Sequence, residues 1–91
     1  MNKRVEIAVK GRVQGVFFRE EVKKAARELG LAGWVRNEAD DSVKIIAEGK
    51  EEKLQKLIAW CRQGSKWSRV EKLEAKWDEY RGEFTQFEIV S

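Results

Sequence analysis

The nonapeptide Gly11–Arg19, GRVQGVFFR, joins two glycines to an arginine at the start of a predicted helix. Glycine reaches backbone conformations that other residues avoid, so the N–H groups around Gly11 and Gly15 can turn inward together and form a positively polarised concavity. A helix that begins there adds unpaired N–H groups and the positive end of its dipole. This spacing favours a site for a phosphate or another anion.

Arg19 falls in the first turn of that helix, where a cation opposes the helix dipole. An anion held between the loop and the guanidinium removes this cost, and a guanidinium can contact two phosphoryl oxygens at once. The alternative is a pair of ordinary turn glycines and an exposed arginine whose apolar stem lies over Phe17 or Phe18. Spacing alone leaves both interpretations open. We expect the two phenylalanines to pack under the loop as its scaffold.

Most other catalytic groups are missing or misplaced. The chain has no histidine, which excludes histidine triads and most zinc sites. Cys61 falls on the apolar stripe of a predicted helix, where a free cysteine is usually buried and inert. Asp40–Asp41 predicts a turn rather than a magnesium site, and the other carboxylates fall mostly on exposed positions. We expect no metal, so the chemistry must rest on positioning and electrostatics.

Hydrophobic periodicity predicts the element order β-α-β-β-α-β-β. Apolar residues alternate in the strands and recur every three or four residues in the helices. We expect Gly30 and Gly64 to end the two helices and Gly49 to end the third strand. The fold class is α+β: a ferredoxin-like βαββαβ sandwich with a mainly antiparallel sheet, two helices on one face and a short extra C-terminal strand.

Length and charge narrow the function classes further. The 91 residues predict a single domain over 1–91. Lys and Arg number 19 against 16 Asp and Glu, with the two signs interleaved, which indicates a solvated surface rather than a nucleic-acid footprint. No apolar run approaches the ~18 residues of a membrane span. With one cysteine and no apolar leader segment, we expect a cytoplasmic monomer without a nucleic-acid or membrane partner.

Two motifs carry a resemblance to a known family. Gly11–Arg19, followed one helix later by Gly33–Asn37 (GWVRN), is similar to the paired motifs of the acylphosphatases, and the ending Gly82–Val90 (GEFTQFEIV) also looks like theirs. The resemblance covers about residues 5–90 and implies hydrolysis of the carboxyl-phosphate bond of acyl phosphates without a cofactor. One departure is Asp40–Asp41, where many members carry glycine, and it leaves the conformation of that turn open.

The resemblance also implies residue roles. Asn37 orients the attacking water, although an asparagine entering a turn is the competing interpretation from turn chemistry alone. With no protein base in reach, we expect a phosphoryl oxygen of the substrate to accept the proton of the water. The residues implied to bind the phosphoryl group, through backbone amides and the arginine side chain, are Gln14, Gly15, Val16, Phe17, Phe18 and Arg19.

Two other function classes share parts of this pattern. RNA-recognition domains have the same element order, but they stack bases on aromatic residues of their central strands, and the predicted third strand Ser42–Glu48 has none. A non-catalytic regulatory domain could bind an anion through the same loop. The presence of both Arg19 and Asn37 favours catalysis, since binding alone does not need an amide that orients water.

Overall fold

The predicted element order is confirmed by a computed structural model, which describes residues 1–91. The elements are β1 (Asn2–Arg12), α1 (Phe18–Glu28), β2 (Ala32–Asn37), β3 (Val43–Lys50), α2 (Glu51–Gln63), β4 (Arg69–Glu79) and β5 (Phe87–Ile89). The five strands form one sheet in the order β4-β1-β3-β2-β5. All neighbours are antiparallel except β2 and β5, which are parallel. This is the predicted ferredoxin-like α+β arrangement with its extra C-terminal strand.

The core lies between the sheet and the two helices. Register places Ile7 of β1 opposite Ile45 of β3, and both side chains are fully buried. The helices contact each other and the sheet, so both lie on one face of it. Each helix buries one apolar stripe there, made of Phe18, Val22 and Ala26 in α1 and of Leu54, Leu57, Ile58 and Cys61 in α2.

The prediction that Gly49 ends the third strand is wrong. β3 continues through Gly49 to Lys50, and Gly49 pairs with Lys3 of β1. Its φ is 155°, and a Cβ at this position would lie 2.5 Å from Cδ2 of Leu31. The glycine therefore permits a close approach within a continuous strand. By contrast, Gly30 follows α1 with a φ of 72°, and Gly64 is the C-cap of α2, so both helix ends were predicted correctly.

One carboxylate departs from the expectation of exposure. Glu48 is only 2% exposed. Its Oε2 accepts hydrogen bonds from the backbone N–H of Arg81 at 2.7 Å and from Nη1 of Arg4 at 3.2 Å, and its Oε1 accepts one from the N–H of Glu83 at 3.3 Å. A buried charge needs such partners. Glu48 thus fixes the connection between β4 and β5, at the start of β1, opposite the end where β1 leads into α1.

Cys61 is buried in the core as predicted, and burial raises the pKa of its thiol from 9.0 to about 12. The native state then keeps a proton that the unfolded chain releases above pH 9, so the thiol lowers stability as pH rises from about 9 toward 12. Denaturant unfolding at pH 8 and pH 11 tests this. We expect the native protein to lose about 2–3 kcal/mol more than a Cys61→Ala variant between the two pH values. Equal losses would contradict it.

Candidate active site

The end of the sheet where β1 leaves for α1 gathers the predicted site residues. Asn37, the last residue of β2, pairs with Val43, and Val43 pairs with Val9 of β1. The β1–α1 loop (residues 13–17) and the β2–β3 hairpin turn (residues 38–42) therefore emerge side by side. This topology brings Asn37 close to the loop that leads to Arg19, as expected for a split βαβ sheet.

A side chain ties the β1–α1 loop to the β2–β3 hairpin turn. Nε2 of Gln14 donates hydrogen bonds to the carbonyl oxygens of Glu38 and Ser42, both at 2.8 Å. Sequence reasoning gave Gln14 a role only through its backbone and missed this clamp. The sequence shows that the side-chain amide of Gln14 can donate two hydrogen bonds. It does not show that the acceptors are carbonyl groups more than twenty residues away.

The backbone of the β1–α1 loop alternates in handedness. Gly15 has a φ of 71° and Phe17 a φ of 61°, whereas Val16 and Phe18 keep negative φ values. Such alternation turns successive N–H groups toward a common point and forms an anion-binding concavity. None of the N–H groups of residues 14–17 donates a hydrogen bond to the rest of the chain. These donors are available to an external acceptor, and α1 begins directly after them.

Gly11 does not belong to this concavity, so its predicted role is wrong. It lies within β1 and pairs with Val70 of β4 at a β-bulge between Lys10 and Gly11. Its φ is 131°, and a Cβ there would collide with the carbonyl oxygen of Arg69. Glycine is required because the two strands approach closely at the bulge. The concavity therefore depends on Gly15 alone among the glycines of the motif.

The two phenylalanines, both predicted to pack under the loop, have opposite environments. Phe18 is 1% exposed, and its ring lies 5.7 Å from the ring of Trp60. Phe17 is 71% exposed. As the N-cap of α1 in a left-handed conformation, Phe17 is turned away from the apolar stripe that begins at Phe18. The prediction is confirmed for Phe18 and wrong for Phe17.

Arg19 is half-buried, and its guanidinium forms no hydrogen bond and no ion pair with the protein. It lines a cleft of about 280 Å³ whose other walls are Val13, Gly15, Phe17, Phe18 and Glu20. The guanidinium of an arginine has five N–H donors, which usually bind carboxylates, carbonyl groups or water. Here a planar set of donors faces the same cleft as the free N–H groups of the loop, an arrangement suited to a phosphoryl group.

Asn37 has a buried side-chain oxygen, Oδ1, with no hydrogen-bond partner. Buried acceptors are nearly always satisfied, so an exception requires an explanation. The turn interpretation does not supply one, because Asp40 makes the side-chain contact of the β2–β3 hairpin turn. Its Oδ1 accepts the N–H of Ser42 at 3.0 Å, and hydrogen bonding to Ser42 lowers the pKa of Asp40. Asn37 retains a free acceptor beside the β1–α1 loop.

The β2–β3 hairpin turn also resolves the departure noted at Asp40–Asp41. Asp41 has a φ of 71°, a left-handed conformation that glycine adopts freely and that aspartate tolerates better than most residues. Asp41 therefore adopts in this turn a backbone conformation that glycine usually supplies. No group of three or more His, Cys, Asp or Glu side chains is arranged to hold a metal ion, and no helix is long and apolar enough to cross a membrane.

The two hydrogen bonds of the Gln14 side chain should stabilise both the fold and the β1–α1 loop. Gln14→Leu removes two hydrogen bonds, so we expect unfolding free energy to fall by about 1–3 kcal/mol and inorganic phosphate to bind more weakly, because the loop loses its anchor. Denaturant unfolding and phosphate titration measure the two effects. Gln55→Leu is the matched control, since Gln55 is exposed and its side chain forms no hydrogen bond. Equal behaviour of the two variants would rule the clamp out.

The sequence model of the family described as acylphosphatase matches residues 5–89. A curated acylphosphatase of Pyrobaculum calidifontis is 48% identical over 88 residues, which cover 96% of this chain and 80% of that protein. The crystal structure of acylphosphatase from Bacillus subtilis superposes with a TM-score of 0.94 at 38% identity and covers 100% of both chains. An acylphosphatase structure from Coxiella burnetii gives a TM-score of 0.92 at 31% identity over 98% of this chain and 93% of that one. This chain belongs to the acylphosphatase family.

Proposed function

We propose that this protein hydrolyses the carboxyl-phosphate bond of acyl phosphates and releases a carboxylate and inorganic phosphate. The observation that carries the proposal is the combination at one sheet end of an unpaired guanidinium, Arg19, with the free N–H groups of the β1–α1 loop. A dianionic phosphoryl group satisfies both sets of donors. The names of the relatives and the fit of the whole chain to the family support the same substrate class.

Binding and electrostatic stabilisation use the same groups. The guanidinium of Arg19 contacts two phosphoryl oxygens, and the N–H groups of residues 14–18 surround the remaining charge. In phosphoryl transfer, negative charge spreads over the equatorial oxygens in the transition state. Donors fixed before the reaction stabilise that charge without reorganising. The Gln14 clamp and the start of α1 hold these donors in place.

Asn37 positions the attacking water. The side-chain amide of Asn37, which can both donate and accept hydrogen bonds, binds a water molecule and directs it in line with the leaving carboxylate. The water oxygen bonds to phosphorus as the bond from phosphorus to the carboxyl oxygen breaks, and the electron pair of that bond leaves with the carboxylate. A phosphoryl oxygen takes the proton of the water. A carboxylate is a good leaving group, so no protein acid is required.

Residues 1–91 act as one domain and as a monomer, in the cytoplasm, on a small-molecule acyl phosphate, without a cofactor, a nucleic acid or a membrane. The strands offer support against RNA binding, because neither β1 nor β3 carries an aromatic residue on which a base could stack. The connection between β4 and β5 also contacts β3, because the N–H groups of Arg81 and Glu83 donate to the carboxylate of Glu48.

Release of inorganic phosphate from benzoyl phosphate, measured with and without a chelator, tests the function. We expect turnover well above the uncatalysed rate, unchanged by the chelator and competitively inhibited by inorganic phosphate. Phosphate binding without turnover would instead indicate a non-catalytic anion-binding domain. Loss of activity with the chelator would reject the proposed chemistry, and noncompetitive inhibition would place the anion elsewhere.

A further inference from the structure

Phe17 combines two unfavourable features at one position. Its φ of 61° and ψ of 15° place a non-glycine residue in the left-handed region, which is costly for an L-residue. Its ring is also 71% exposed, although the next residue, Phe18, is buried. A polar residue or glycine would relieve one or both costs. An exposed phenylalanine alone needs no explanation, but this one lines the cleft that contains Arg19.

The side of the loop on which Phe17 lies is also informative. The Gln14 clamp joins one side of the β1–α1 loop to the β2–β3 hairpin turn, next to Asn37. Phe17 and Glu20 line the cleft, whereas Asn37 does not. In-line displacement requires the water and the leaving group on opposite sides of the phosphorus. With the water held at Asn37, the leaving carboxylate and its acyl group point toward Phe17.

We propose that the Phe17 ring contacts the acyl group of the substrate and makes the enzyme prefer acyl phosphates with an aromatic acyl group. This inference rests on the proposed hydrolase function and deepens it. Three apolar residues line the cleft. Val13 and Phe18 are buried in the core, so only the Phe17 side chain is exposed and able to contact a substrate. Stacked or edge-to-face aromatic pairs add affinity beyond simple burial, which a methyl group cannot reproduce.

The test compares kcat/KM for benzoyl phosphate and acetyl phosphate in the wild-type protein, Phe17→Ala and Phe17→Leu. We expect the benzoyl-to-acetyl ratio to fall about threefold to tenfold in Phe17→Ala and by less in Phe17→Leu, mainly through KM. Any disturbance of the loop backbone lowers kcat/KM for both substrates together, so it cancels in the ratio. Thermal unfolding of each variant verifies the fold.

Trp67→Ala is the matched control. Trp67 is 61% exposed and lies in the connection before β4, at the same end of the sheet, but it does not line the cleft. Its replacement should leave the ratio unchanged. An unchanged ratio in Phe17→Ala, or an equal fall in Trp67→Ala, would overturn the assignment of Phe17. If the wild-type protein hydrolyses neither substrate, the hydrolase function itself is rejected, and this inference with it.

Discussion

Replacement of Arg19 should nearly abolish activity while the fold stays intact. Each charge-assisted hydrogen bond from the guanidinium to a phosphoryl oxygen is worth about 1.5–3 kcal/mol. Arg19→Ala removes the contacts to two oxygens, so we expect kcat/KM to fall ~10³-fold or more. Arg19→Lys keeps the charge but loses the planar two-pronged geometry, and we expect a loss of ~10–10²-fold through both kcat and KM. Steady-state kinetics with benzoyl phosphate measures both.

The guanidinium of Arg19 forms no hydrogen bond or ion pair with the protein, so its removal breaks neither, although the half-buried stem loses some packing. Thermal stability without ligand should therefore change little. Added inorganic phosphate should raise the thermal stability of the wild-type protein more than that of the Arg19 variants. Arg62→Lys is the matched control, because Arg62 is an exposed arginine near the end of α2 without a partner. Near-normal turnover in a folded Arg19→Lys protein would reject the site.

Replacement of Asn37 should separate chemistry from binding. If the Asn37 side chain holds only the water, Asn37→Ala lowers kcat by ~10²-fold, by analogy with other positioning groups, and leaves the inhibition constant of inorganic phosphate nearly unchanged. Because the buried oxygen has no partner in the protein, its removal deletes an unsatisfied acceptor and should not lower stability. Kinetics, phosphate inhibition and denaturant unfolding on the same preparation give the three readouts.

A comparison with Asp40→Ala distinguishes the two interpretations of Asn37. Asp40 caps the β2–β3 hairpin turn through Ser42, so its replacement should lower stability and have a smaller effect on kcat. If Asn37 were a turn residue, the two variants would behave alike. A parallel loss of phosphate affinity in Asn37→Ala would make Asn37 a ligand or a support of the loop instead.

Much of the fold follows from local properties of the sequence. The alternation of Val5, Ile7 and Val9 and the helical spacing of Leu54, Leu57 and Cys61 each encode one element, because burial of one face fixes the period. Gly30 and Gly64 follow the two helices for reasons that also lie within a few residues. The sequence predicts the candidate site for the same reason, since Gly15, Arg19 and Asn37 belong to two short motifs.

Other features depend on contacts between residues far apart in the chain, which local sequence patterns do not encode. Gly11 serves the bulge against β4 and Gly49 the approach of Leu31, although both glycines signal a turn or a break locally. The acceptors of the Gln14 amide and the donors that bury Glu48 lie on distant segments.

The orientations of Phe17 and Phe18 show the same limit within one dipeptide. Their sequence context is nearly identical, and a single left-handed residue at the start of α1 sends one ring into the core and the other toward solvent. Which elements form and which motifs could bind an anion can be predicted from the amino-acid sequence, because both depend on local periodicity and residue type. The partners of each polar group and the direction of each side chain depend on which segments meet, and that is a property of the folded chain.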